Sequence, residues 1–173
     1  LLVGRSIAGP GYPLYGRVDE IRISDRAREP EEFRILVEPV SPIWTTGTSM
    51  PTARPDAGAA LVEGKLYVIG GRHTDGTALA SNEAFDVFKD EWSAKKDIPT
   101  ARWDVAAASV GRRIYAIGGT RFTKTQEVVA RNEQYETEDD VWTRRSDWTR
   151  PRFGAAAATL DQGVFVIGGS KEF

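Results

Sequence analysis

The stretch "LYVIGG", residues 66–71, is a short apolar run closed by two glycines. It returns as "IYAIGG" at 114–119 and as "VFVIGG" at 164–169. The first glycines of the pairs, Gly70, Gly118 and Gly168, are 48 and 50 residues apart (118 − 70 and 168 − 118). Trp44, Trp92 and Trp142 keep the same two steps, and so do Arg54, Arg102 and Arg152. Asn82-Glu83 and Asn132-Glu133 stand 50 apart, as do Phe85 and Tyr135. Markers of such different chemistry in one phase predict a tandem repeat. Each unit of ~50 residues is then one supersecondary structure stacked on its neighbours.

Outward from the opening phrase, each unit reads as four short strands. An inner strand of small residues precedes it: "GAALV" (58–62), "AAASV" (106–110) and "AAAATL" (155–160). Two-residue turns follow, Glu63-Gly64, Gly111-Arg112 and Asp161-Gln162, of the size that closes a hairpin. The opening phrase is the second strand, and its glycines are expected where a Cβ would obstruct the backbone. A loop of variable sequence leads to "NEAFDV" (82–87) or "NEQYET" (132–137), which alternate as half-buried strands do. The turns "FKDE" and "EDDV" then lead to a fourth strand carrying Trp92 or Trp142. Alanine is the best helix former, so the alanine runs have a helical alternative. Each run is only about six residues and ends in a turn, too short for a helix without rescue by packing.

"ARPDAGAALVEGKLYVIGG … NEAFDVFKDEW" and "ARWDVAAASVGRRIYAIGG … NEQYETEDDVW" resemble the kelch repeat, with arginine, double glycine, aromatic and tryptophan in their places. The resemblance covers about residues 44–173. It implies an all-β, partial kelch-type β-propeller with near-complete blades at 58–92 and 106–142 and a partial one at 154–173. Propellers close with roughly four to eight blades. Two blades and pieces therefore predict a segment of a longer protein, for which the strand around Trp44 would be a closing piece. The first residue is Leu1 and the one methionine is Met50, so this reading also places the true N-terminus elsewhere.

Residues 1–38 lack the repeat markers. "LLVGRS … YGRVDEIRISDRAREPEEFRIL" resembles the last strands of laminin-G-like, concanavalin-A-like jelly rolls, with Gly16, Val18, Asp19, Glu20, Ile21 and Ile23 in the matching positions. It implies the tail of a lectin-like β-sandwich over 1–38, joined by a Pro-bearing linker at 39–43 to the propeller segment at 44–173. That family binds glycans, and some members bind calcium. Most of its ligand face falls outside these residues, and no binding residue is carried over. The tail favours an extracellular or cell-surface setting.

Composition narrows the chemistry. The 173 residues carry 23 basic and 25 acidic side chains, a net charge of −2, with no case for nucleic acid or an anionic membrane surface. Apolar runs reach about six residues, against roughly 20 for a membrane-spanning helix. Cysteine is absent and histidine occurs once, as His73, which excludes disulfides, thiolate or multi-histidine metal sites and a cysteine nucleophile. The reading therefore expects no catalytic residue, no metal ligand and no cofactor. His73 is expected in an exposed loop, and Glu136, Glu138, Asp139 and Asp140 in a solvated hairpin. "GRSIAGPG" lacks the Lys-Ser/Thr ending of a phosphate loop and reads as a turn. Some kelch-fold enzymes use a cysteine-linked tyrosine with copper, a set this segment lacks.

Arg54, Arg102 and Arg152 are the candidate ligand-binding residues. Each stands 16 residues before a first glycine (70 − 54, 118 − 102 and 168 − 152), just ahead of an innermost strand. In kelch domains that bind acidic peptides, some arginines at this position contact the ligand, so the resemblance implies that role here. The planar guanidinium grips carboxylates through paired hydrogen bonds. The same fork also suits bracing of the blades by bonds to backbone carbonyls. A binding role predicts that Arg102→Ala weakens binding with little loss of stability; a loss above about 2 kcal/mol marks a brace. The loops 72–81 and 120–131 differ in sequence, as partner-reading loops on a rigid scaffold do. The expected function is a non-catalytic module recognising a protein or glycan through loops and channel face. The alternatives are a carbohydrate-active enzyme with its catalytic residues in other blades, and an intracellular adaptor.

Overall fold

The tight turns predicted between the first two strands of each unit are where the observed hairpins begin. In the computed structural model, which describes residues 46–122 and 125–172, β1 (Gly58–Val62) pairs with β2 (Lys65–Ile69) from Val62↔Lys65 to Gly58↔Ile69. Glu63 and Gly64 between them have φ of 48° and 76°. Positive φ at both central residues is the type I′ geometry that matches strand twist. β3 (Asn82–Asp86) and β4 (Glu91–Lys95) complete an antiparallel four-stranded sheet in the order β1-β2-β3-β4. The second blade repeats it with β5 (Ala106–Val110), β6 (Arg113–Ile117), β9 (Asn132–Glu136) and β10 (Val141–Arg144). β11 (Phe153–Leu160) and β12 (Gly163–Ser170) form a two-stranded sheet around Asp161-Gln162.

All three alanine runs are strands, because each lies in a hairpin ladder that satisfies its backbone groups. The sequence reading did not anticipate β7 (Thr120–Phe122) and β8 (Gln126–Val128), a separate hairpin within the second variable loop. Residues 46–50 are not in a strand. Trp44, the linker at 39–43 and the jelly-roll reading of 1–38 lie outside the described residues.

Small residues let the blades approach. Ala60, Ala84, Ala108 and Ala116 are buried together with Ile69, Ile98, Ile114 and Tyr135. Tyr67 of the first blade meets Tyr135 of the second with ring centroids 5.8 Å apart and planes at 60°. Between inner strands, Ser109 Oγ donates to Leu61 O at 2.8 Å and Thr159 Oγ1 to Ser109 O at 2.5 Å.

The paired glycines make the junction between blades. Gly71 N donates to Arg102 O at 3.0 Å, and Gly119 N to Arg152 O at 2.9 Å. A Cβ on Gly70 would lie 2.4 Å from Arg102 O, and one on Gly118 would lie 2.4 Å from Arg152 O. The pair is therefore a socket for the carbonyl of the next unit's arginine, with room for that oxygen only where a side chain is missing.

The tryptophans hold the outer edge. Trp92 Nε1 donates to Thr48 O at 2.8 Å while Asp90 Oδ1 accepts from Thr48 N at 2.8 Å. In the next blade Trp142 Nε1 donates to Lys96 O at 2.7 Å while Asp140 Oδ1 accepts from Lys96 N at 2.7 Å. Each outer hairpin thus clamps the segment that enters its own blade. Burial pushes the Asp140 carboxyl up, but the Tyr135 hydroxyl, the Lys96 amide and the Lys95 and Lys96 charges together hold it below the usual carboxylate range. A depressed carboxyl adds stability above its unfolded pKa of about 3.9 and loses it as pH falls through the folded value. Asp140→Asn keeps the acceptor and tolerates the φ of 55°. The expected result is that wild type is the more stable at pH 7 and that the gap narrows as pH falls below about 4, the unfolded carboxylate value, measured by urea unfolding across pH. A gap that stays constant from pH 7 down through the acid range would contradict the assignment.

Candidate functional site

The two complete blades treat their arginines identically. Arg54 Nε donates to Gly70 O at 2.8 Å, Nη2 to Val68 O at 2.9 Å, and Nη1 to Thr52 O at 2.9 Å and to Glu83 Oε2. Arg102 Nε donates to Gly118 O at 2.8 Å, Nη2 to Ala116 O at 2.9 Å, and Nη1 to Thr100 O at 2.8 Å and to Glu133 Oε2. The second oxygen of each glutamate accepts from a threonine hydroxyl, Thr52 at 2.9 Å and Thr100 at 2.8 Å. Both arginine side chains are 0% exposed. Burial pushes the Arg102 guanidinium down from its ordinary value, and the charge and hydrogen bond of Glu133 oppose that shift. Neither guanidinium is presented to solvent; each ties the inner hairpin of its blade to the third strand.

Arg152 is placed differently. It is half-buried, and among the described residues it donates from Nη1 to Gly169 O at 2.9 Å. The position of Thr52 and Thr100 is Arg150 in this copy. The structure therefore does not bring the three arginines together as one exposed set. On the inner rim the repeat positions Asp56, Asp104 and Gly154 are joined instead by backbone bonds, Asp104 N to Asp56 O at 2.8 Å and Gly154 N to Asp104 O at 3.2 Å. Burial, followed by the neighbouring Asp56 charge, pushes the Asp104 carboxyl up.

The open space lies between the variable loops. A cleft of about 550 Å³ has Asp75, Gly76, Thr77 and Ala78 on one wall and Arg121 and Phe122 on the other, over a floor of Pro99, Thr100, Ala101 and Trp103. The first wall is ordered by its own turn: Asp75 Oδ1 accepts from Thr77 N at 2.8 Å, and that bond leads in holding the carboxyl below its usual value. The second wall is the β7–β8 hairpin, tied to the floor by reciprocal bonds between Trp103 and Thr120 at 2.9 and 2.8 Å. Arg72 stands over the Trp103 ring at 5.8 Å, within cation–π range. Arg121 pairs with Glu127 at 2.8 Å, and Phe122 is 61% exposed at the rim.

This cleft escaped the sequence reading. Its signal was the dissimilarity of loops 72–81 and 120–131, and the Trp103 that follows Arg102 where Pro55 follows Arg54. His73 is exposed on its loop. The acidic run is partly paired, Glu136 with Arg113 at 2.7 Å and Glu138 with Arg112, while Asp140 serves the outer clamp. Among the described residues, no group of three or more His, Asp or Glu is placed to hold a metal ion, and no helix is long and apolar enough to cross a membrane.

A family model described as the Kelch motif matches residues 53–97 and again residues 102–147. Each match opens within a residue of a buried arginine and runs past the outer strand of its blade. No curated protein matches the chain.

Proposed function

Because this chain belongs to the kelch-repeat family, we propose that it is a non-catalytic recognition module that seats a protein partner in the cleft between the first blade's loop and the β7–β8 hairpin. Kelch repeats generally mediate protein–protein interaction. The observation that carries the reading is the contrast between scaffold and loops. The arginine brackets, glycine sockets and tryptophan clamps recur from blade to blade, whereas the cleft walls belong to the two segments that do not repeat. A rigid base with divergent loops is how scaffolds vary their partners. The exposed Phe122 ring beside Arg121, over a floor in which Pro99, Ala101 and Trp103 stand with Thr100, has the mixed apolar and polar character of an interface.

Arg54 and Arg102 belong in this reading to the scaffold rather than to the ligand site. The finer reading concerns residues 1–38: their likeness to a lectin-like module directs the partner toward a glycoprotein on a secreted or cell-surface assembly. Panning a random peptide display library against the chain tests the cleft, with a glycan array testing the finer reading. The expected result is a family of related peptides whose binding falls about tenfold or more with Phe122→Ser, comparable to losing one anchor residue, at unchanged melting temperature. Peptides that bind wild type and variant alike would place the site elsewhere.

A further inference from the structure

The charges around the cleft do not balance. Arg72 Nε donates to Asp56 Oδ2 at 2.5 Å, and its guanidinium also stands over the Trp103 ring. Arg121 is matched by Glu127 at 2.8 Å. Asp75, exposed on the opposite wall, has no lysine or arginine within ion-pair distance among the described residues. Its Oδ1 accepts from Thr77 N at 2.8 Å, and that bond leads in holding the carboxyl below its ordinary value, so the group is ionised at neutral pH. Trp103 supplies a second, independent observation. The residue is 5% exposed and lines the cleft, yet its indole N–H donates no hydrogen bond among the described residues. Trp92 and Trp142 each donate theirs to a backbone carbonyl, at 2.8 and 2.7 Å. A largely buried N–H without a partner is costly, and a carbonyl is a ready acceptor for it.

We infer that the cleft receives an extended segment of a partner protein that carries an arginine or lysine beside apolar residues. The basic side chain meets the Asp75 carboxylate, a backbone carbonyl of the segment accepts from the Trp103 indole, and an apolar side chain lies against Phe122. Each of the three contacts answers a group that the chain itself leaves unmatched: a charge, a donor and an exposed ring. An arginine suits the first best, because its fork can hold a carboxylate through two bonds. An acidic segment, the ligand that the repeated arginines suggested, would meet Asp75 with like charge and find the cations of the cleft already paired. This inference rests on the reading of the cleft as a protein-binding site and adds the chemistry of its occupant.

The test pans two displayed peptide libraries against the whole chain. One fixes a central arginine and the other a central glutamate, with uncharged residues at every other position. Binders are expected from the arginine library alone. For a selected peptide followed by fluorescence anisotropy, Asp75→Asn in the chain should weaken binding about tenfold, as for a lost charged hydrogen bond. Asparagine keeps an acceptor for Thr77 N, so the wall keeps its turn. Replacing the arginine of the peptide by glutamine should cost as much, and combining the two changes should add little. The Trp103 indole N–H resonance should move downfield on binding. Binders from the glutamate library, or arginine peptides indifferent to Asp75→Asn, would overturn the inference, as would an unmoved Trp103 resonance. If those peptides still lose affinity with Phe122→Ser, the cleft reading survives and only the assigned chemistry fails. Peptides indifferent to Phe122→Ser as well, or no binder from either library, overturn both.

Discussion

Arg102→Ala is expected to destabilise the chain by about 3–5 kcal/mol, the range for breaking a buried ion pair from one side. The variant strips hydrogen bonds from Gly118 O, Ala116 O and Thr100 O. It also leaves the Glu133 carboxylate, whose side chain is 3% exposed, without its cation. Domains of this size are stable by roughly 5–15 kcal/mol, so the loss is a large share of the total. The Arg102 carbonyl remains to accept from Gly71, so the damage starts within the second blade. Urea unfolding measures the loss, and hydrogen exchange should show protection failing first in β6 and β9. Glu133→Gln should be milder because an acceptor remains. The double variant should lose less than the two singles predict together, since removing both partners leaves no unpaired charge. Arg152→Ala, half-buried, should fall within the about 0.5 kcal/mol typical of surface changes. A loss below about 1 kcal/mol for Arg102→Ala, smaller than a typical buried charged hydrogen bond, would return this residue to the role of a ligand contact.

Gly70→Ala is expected to cost on the order of 3 kcal/mol or more, through two separable effects. The first is backbone strain. Gly70 has φ +66°, and a non-glycine residue held there costs about 1–3 kcal/mol. The second is collision: the new Cβ would sit 2.4 Å from Arg102 O, a backbone atom already fixed by the bond from Gly71 N. Gly111→Ala provides the control, because Gly111 has φ +58° and nothing within 4 Å of an added Cβ. The difference between the two variants in urea unfolding isolates the collision. If the two lose equal stability to within about 0.5 kcal/mol, the additivity limit of such comparisons, the glycine pair is only a turn and not a socket.

The aspartate clamp, the cleft anchor and the arginine–glutamate pairs are legible to different depths in the sequence. The clamp's tryptophans stand out as spaced markers, but Asp140 reads only as part of a solvated acidic hairpin and Asp90 only as a turn residue, since an aspartate in a turn looks the same whether or not it receives an amide from another segment. The cleft residues Trp103 and Phe122 belong to positions where the repeats disagree. Repetition identifies what the scaffold needs and passes over what differs. Glu83 and Glu133 were seen only as halves of an Asn-Glu marker. Their partners lie 29 and 31 residues back, a separation that becomes contact only once β3 and β9 are paired in register.

By itself the sequence determined the repeated strands of the blades, the turns between them and the units they form, though not the β7–β8 hairpin. Those features depend on period-two alternation and on turn residues a few positions apart, and both act locally. The tertiary structure alone decided what the repeated residues do. The arginine that looked like a ligand contact is, in two of three copies, sealed inside a blade, because the pairing of the third strand delivers a glutamate to it and excludes water. The double glycine of "LYVIGG" takes its meaning from a carbonyl 32 residues further on (102 − 70). A side chain's role follows from what is brought against it, and that is a property of packing rather than of spacing along the chain.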